Sequence, residues 1–221
     1  MTITTTTLTR AAGAAAVAAG LIFVGVQIGH PHLDVQSITS TEVVVRNSLK
    51  LVMATLALAG IAGLYLSQIR KNGLVGLVGW VVLSVGYVSI FATTLVSAYV
   101  LPAIADTNPQ YVSDVLAAST NGDPVGDVGL LPTVLQLQGF AYLGGGLLLG
   151  IALFRARVVA RWAAVLLAVG GLVSAALAVM PDAFYRLLAY PNGIAMVGLG
   201  YSLWRTARTT TSVQPPVAVA G

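Results

Sequence analysis

Six apolar stretches, at about 11–28, 49–66, 73–100, 131–154, 162–180 and 187–204, alternate along the chain with short polar segments. Each is long enough to cross a hydrocarbon layer of roughly 30 Å. The pattern predicts an all-α polytopic membrane bundle of six helices forming a single domain over 1–208, with 209–221 as a disordered cytoplasmic tail. The third stretch would run to roughly 42 Å at the usual helical rise and must tilt or protrude. Between the third and fourth stretches lies the one long loop, about 102–129. There Asn108 as a cap and Pro109 at the first helical position, followed by Tyr111, Val112, Val115 and Leu116, predict a short helix on the membrane surface. Thr39 and Glu42 have capping-box spacing for a helix that begins before the second stretch.

Charge orients these spans. The acidic residues are Asp34, Glu42, Asp106, Asp114, Asp123, Asp127 and Asp182, and all fall in the same alternate set of loops. The other set holds Arg10, Arg70, Lys71, Arg155, Arg157, Arg161, Arg205 and Arg208. Basic loops stay on the cytoplasmic side, so both termini are expected in the cytoplasm, and Trp162 and Trp204 land at the inner interface, where indoles are favoured. The N-terminal run lacks a small-residue cleavage pattern after its apolar stretch and reads as an uncleaved first span.

Composition agrees with this reading and narrows the chemistry. Of 221 residues, 57% are hydrophobic and only 8% charged, against roughly a quarter charged in an average soluble domain. The net charge of +4 comes from basic residues beside helix ends, so it argues for topology and not for nucleic acid. With no cysteine, disulfides, thiolate metal sites and a cysteine nucleophile are excluded. No ionisable side chain falls at membrane depth, which disfavours a proton-driven pump. No nucleophile is paired with a base, so an enzyme is not expected.

Uncharged polar groups are what remains for a binding site. Gln27, Gln136, Gln138, Tyr142 and Asn192 fall mainly in the outer half of the spans, and Gln138 and Tyr142 share a helix face. Pro191, Asn192 and Gly193 are expected to break the sixth span. Together they suggest an outward-facing polar cavity between the first, fourth and sixth spans for a small apolar or amphipathic ligand, or a lipid. The plainer account makes the same side chains hydrogen-bonding glue between helices. Arg46, Lys50 and Arg186 lie near the outer interface, where they could hold an anionic headgroup or form ordinary ion pairs. His30, His32 and Asp34 give at most three metal ligands around a proline turn, and Asp106, Asp123 and Asp127 lack calcium-loop spacing. No metal or cofactor is therefore expected. Ala12, Ala16 and Gly20, the glycines of GLVGLVG (Gly73, Gly76, Gly79) and those of GGGLLLG (Gly144 to Gly146, Gly150) read as close-packing positions.

The segments ARVVARWAAVLLAVGG, 156–171, and PNGIAMVGLGYSLWR, 191–205, resemble a broad family of bacterial, actinobacterial-type six-helix integral membrane proteins that carries no assigned activity. The resemblance implies a multi-pass protein of the bacterial plasma membrane. The sequence thus supports a non-enzymatic membrane protein whose partners are the bilayer and a small-molecule or lipid ligand. The alternatives are a permease or exporter of a neutral solute, or an accessory subunit of a membrane complex.

Overall fold

The structure is a computed structural model that describes residues 3–120, 122–177 and 189–211. Its long helices are α1 (Thr5–Gly25), α2 (Thr41–Leu66), α3 (Ile69–Leu95), α6 (Leu131–Ala156), α7 (Arg161–Leu177) and α8 (Ala189–Thr211), with the short α4 (Leu101–Ile104) and α5 (Pro109–Ser119) between α3 and α6. A π turn over Val96–Val100 joins α3 to α4, so one apolar rod runs from Ile69 to Ile104. Among the described residues, four helical segments are long and apolar enough to cross a membrane: Thr5–Gly25, Thr41–Leu66, Ile69–Ile104 and Leu131–Ala156.

Several boundaries differ from expectation for local reasons. α2 is capped by Ser40, whose hydroxyl accepts from the Val43 amide at 3.3 Å. The Thr39 hydroxyl instead donates to the Gln36 carbonyl, and Glu42 is held by Arg46, so no Thr39–Glu42 capping box forms. The described part of α8 runs unbroken from Ala189 through Pro191, Asn192 and Gly193, so the expected break is not seen there. α8 also continues through Thr211, three residues into the stretch expected to be tail. Gly73 departs from helical geometry (φ 56°, ψ −163°) and sets the turn Ile69–Asn72 apart from the rest of α3.

The helices close a ring in the order α1, α2, α3, α6, α7, α8 and back to α1, with α2 also touching α8. Neighbours approach at backbone distance where glycine allows it. A methyl placed on Gly13 would come within 2.8 Å of the Gly200 carbonyl oxygen, one on Gly60 within 2.8 Å of the Ala16 methyl, and one on Gly86 within 2.7 Å of the Tyr142 amide. Gly63 faces Ala12, Gly20 faces Gly193 and Gly79 faces Leu149, so most of the expected close-packing positions are helix contacts. Gly73 and Gly144 are not: neither has a neighbour within 4 Å. The ring's middle is one apolar cluster shared by all six helices, including Ala16, Ile61, Leu83, Leu149, Ala164 and Leu199. Outward, Leu74, Leu77, Val81, Val85 and Val88 form an exposed apolar stripe along α3.

A second, smaller core sits on the end of the ring that holds α4 and α5. There Val112, Val115 and Leu116 of α5 bury against Ile38, Val43, Leu101 and Ala105. The helix expected in the long loop therefore forms at the expected place, but it spends its apolar face on the protein, and Tyr111 is left exposed.

Candidate functional site

The expected ligand residues separate into three groups. Tyr142 on α6 and Asn192 on α8 converge inside the ring, where they are joined by Tyr87 of α3. The Tyr87 and Tyr142 rings meet edge to face, centroids 5.4 Å apart. The Tyr142 hydroxyl is buried beside the Tyr87 hydroxyl and the Asn192 amide, without a well-formed hydrogen bond to either. Asn192 is 4% exposed, and its amide packs against Gly170 of α7, where any larger residue would displace it. Helix backbones bring these groups together: Gly86 lets α6 approach α3 at Tyr142, and Gly193 lets α8 approach α1 beside Val24.

Gln138, one turn before Tyr142 on α6, forms a second group. Its side-chain oxygen accepts from the Thr93 hydroxyl at 3.0 Å, a bond between α6 and α3 of the gluing kind. Gln27 and Gln136 form the third and are not drawn into the ring. Gln27 lies in the turn after α1, and Gln136 is exposed on the outer side of α6.

An open groove of about 430 Å³ lies between the ends of α1 and α2 that face the small core. Ile22, Val26, Val45 and Leu49 give it an apolar floor, and Thr41, Glu42 and Arg46 a polar rim. Arg46 is fully engaged there. Its Nε–H donates to Glu42 Oε1 at 2.9 Å, Nη1 donates to the carbonyls of Val26 (3.0 Å) and Ile28 (2.9 Å), and Nη2 reaches Gly29 O (3.3 Å) and Glu42 Oε1 (2.8 Å). A guanidinium has five N–H donors, so none is left for a phosphate. The Val26 carbonyl belongs to the C-cap of α1, which a helix leaves without a partner, and those of Ile28 and Gly29 to the turn after it. Arg46 is thus a clamp that ties α2 to the end of α1.

Lys50 and His30 make another local contact. His30 donates from Nδ1 to the Pro31 carbonyl (2.8 Å), which leaves Nε2 to accept from Lys50 Nζ (3.2 Å). Lys50 also donates to the buried Asn47 side chain at 3.3 Å. Arg186 lies outside the described residues. Asp34 accepts from the Ser37 amide at 2.7 Å, and that bond holds its carboxyl below the usual range. Asp127 closes a turn onto the Gly129 amide at 2.7 Å. Among the described residues no three His, Asp or Glu side chains converge as a metal site would require.

A polar site with no expectation attached to it stands at the opposite end of the ring, in the α2–α3 elbow. Gln68 (3% exposed) and Asn72 (4% exposed) are one turn apart. The Gln68 amide donates to the Leu64 carbonyl (3.4 Å) and the Asn72 amide to the Tyr65 carbonyl (3.2 Å), so the last carbonyls of α2 claim both NH₂ groups. Both side-chain oxygens are left buried and unpartnered. The Tyr65 ring stacks on Trp80 (5.1 Å, 7°), whose indole N–H is also unpartnered. The spacing of two amides four residues apart around IRKNG is the sequence signal that marks this elbow.

Fold and sites together define an all-helical bundle with four helices of membrane-spanning length and apolarity, the mark of a membrane-embedded protein. No family model matches the chain, and no curated protein or solved structure does.

Proposed function

We propose that this chain is a six-span, non-enzymatic protein of the bacterial plasma membrane that binds a small amphipathic ligand within its ring, in the outer half of the bilayer. Both termini would face the cytoplasm, in line with the basic residues at the Arg10, Arg70, Arg157 and Arg205 end and the acidic residues at the other. The exposed apolar stripe on α3 supports immersion in lipid, since water would penalise it. Cation–π contacts of Arg10 with Trp204 (5.6 Å), Arg161 with Phe154 (4.0 Å) and Arg205 with Tyr201 (5.9 Å) line the basic end, where the interface would lie.

The observation that carries the ligand reading is the buried Tyr142 hydroxyl, which faces Tyr87 and Asn192 without a well-formed hydrogen bond. Leaving such a group without a bond costs about 1–3 kcal/mol, and a ligand hydroxyl, ether or carbonyl at that point would recover it. Tyr87 and the surrounding aliphatic side chains suit the apolar remainder of the ligand. Native mass spectrometry of nanodisc-purified protein tests this. Retained ligand should be lost in Tyr142→Phe and in Asn192→Leu and kept in Gln136→Leu. Retention by both interior variants, folded, would overturn the reading.

The groove between α1 and α2 supports a second occupant, a lipid acyl chain. Its floor is apolar and Arg46 is unavailable to a headgroup, so binding there would be indifferent to headgroup charge. Leu49→Trp should fill the groove and reduce co-purifying lipid without affecting the interior ligand.

A further inference from the structure

Among the described residues, the buried side-chain polar atoms without a partner are Gln68 Oε1, Asn72 Oδ1, Trp80 Nε1 and the Tyr142 hydroxyl. They gather at two places, the α2–α3 elbow and the Tyr142–Asn192 site. Asn72 sits where Gly76 meets Ala152, late in α6, and Asn192 sits where its neighbour Gly193 meets Val24, late in α1. The sites therefore lie toward opposite ends of the ring.

The order of helix contacts relates them. The two most extensive contacts are α3 with α6 and α1 with α8; the next are α1 with α2 and α6 with α7; then come α2 with α3 and α7 with α8. Among the described residues, replacing α1, α2 and α3 by α6, α7 and α8 reproduces the same ranking, apart from the minor α2–α8 contact. Each half has three spans, so corresponding helices run in opposite directions, the plan of an inverted repeat. The third helix of each half carries an Asn-Gly pair at the fourth and fifth of its described residues, Asn72-Gly73 in α3 and Asn192-Gly193 in α8. In each case the asparagine is 4% exposed and packs back on the second helix of its own half, on the Tyr65 carbonyl in α2 and on Gly170 in α7.

We propose that the two halves form an inverted repeat whose Asn72 and Asn192 sites are the cytoplasmic and outer stations of a carrier for a small neutral solute. This rests on the six-span reading above. Buried unpartnered polar atoms are costly and rare in native folds, and here they lie at the Asn72 elbow of the first half and at Tyr142, beside Asn192, in the second. The elbow offers two acceptors and the indole donor, so the solute bears hydroxyl- or amide-type donors together with an acceptor. It is uncharged, because the spans hold no ionisable group at membrane depth to accompany a charge. Rocking of one half against the other would open the stations in turn.

The absence of cysteine allows a direct test. Gln68→Cys, Asn192→Cys and the double variant are placed in vesicles of known orientation and treated with a membrane-impermeant maleimide from either side. The carrier reading expects Asn192→Cys to react only from outside and Gln68→Cys only from inside. In the double variant, blocking the outer cysteine with a bulky maleimide should slow the inner reaction by at least about tenfold, as a shift between two states requires. An inner rate indifferent to the outer block overturns the carrier, and so does a failure of both cysteines to react from either side. Reaction of both from the same side overturns the six-span topology itself, a different signature. Should a cysteine unfold the chain, Asn72→Cys and Tyr142→Cys, at the same two stations, read the same mutual exclusion.

Discussion

The ring and the small core on its end are held together by different physics. In the ring, helices meet through Gly13, Gly20, Gly60, Gly86 and Gly145, with backbones close enough to exclude a methyl group. In the end core, Val112, Val115 and Leu116 form an apolar cluster, and side chains satisfy the loop backbone: Asp34 takes the Ser37 amide, Asp114 the Val125 amide at 2.8 Å, and Asp127 the Gly129 amide. Lipid tails are as apolar as leucine, so helices within a bilayer gain little by burying aliphatic groups and depend on close packing. A cap facing water gains from burial but must satisfy each amide it removes from solvent. The contrast supports reading the ring as lipid-embedded and the cap as exposed to water.

The largest expected effect comes from breaking the ring seam. At Gly145 of α6 a methyl would strike the Leu83 backbone of α3, while at Gly144 it would meet nothing within 4 Å. Gly145→Ala should lower stability by at least about 1–3 kcal/mol, since the obstacle is main chain that cannot rotate away. Gly144→Ala should be neutral or stabilising by up to about 1 kcal/mol through helix propensity alone. Thermal unfolding in a mild detergent compares the two directly; equal losses would mean that the α3–α6 seam is not the close contact described.

Next in size is the cap's latch at Asp114. This buried side chain bridges α5 to the loop after it through the Val125 amide and Gln110 (3.2 and 3.3 Å), and the Val125 amide is the main cause holding its carboxyl below the usual value of 3.8. A carboxyl with a depressed folded pKa contributes stability that is present above its unfolded pKa and is lost as pH falls through the lower folded value. The cap should therefore hold at neutral pH and loosen only below about pH 4. Asp114→Ala should loosen it at pH 7, with deuterium uptake over 105–131 at least about tenfold faster and α1 and α8 unchanged. Equal acceleration throughout would mean that ring and cap unfold as one unit.

How much of this was legible in the sequence follows from the range of each interaction. The spans, the α5 start at Asn108 and Pro109, and most packing glycines rest on local composition and periodicity, and the structure carries helices and close contacts there. The α2 cap was misplaced by one residue because Glu42 is claimed by Arg46, whose other donors serve carbonyls 17 to 20 residues earlier. Pro191 and Gly193 signal a break by residue type alone, whereas the described helix continues through them. Tyr142 and Asn192 could be nominated by depth, but their meeting with Tyr87 depends on the ring order, which no local pattern encodes. Gln68 and Asn72 were hidden among the charges of a turn that reads simply as a cytoplasmic stop.

The smallest expected effects lie where ring and cap join, at Arg46. Its carbonyl contacts to Val26, Ile28 and Gly29 bind the end of α1, whereas Glu42 offers one i,i+4 pair whose own side chain is 56% exposed. Removing Glu42 by Glu42→Ala should therefore cost only about 0.3–0.5 kcal/mol. Arg46→Lys keeps the charge but cannot span three carbonyls and a carboxylate with one ammonium group, so about 1–2 kcal/mol should be lost. The order matters more than the sizes. If Arg46 acts through the carbonyls, Arg46→Lys destabilises both wild type and the Glu42→Ala background by nearly the same amount in a double-mutant cycle. If the ion pair were the link, the second loss would vanish, and the joint between ring and cap would be electrostatic and sensitive to salt.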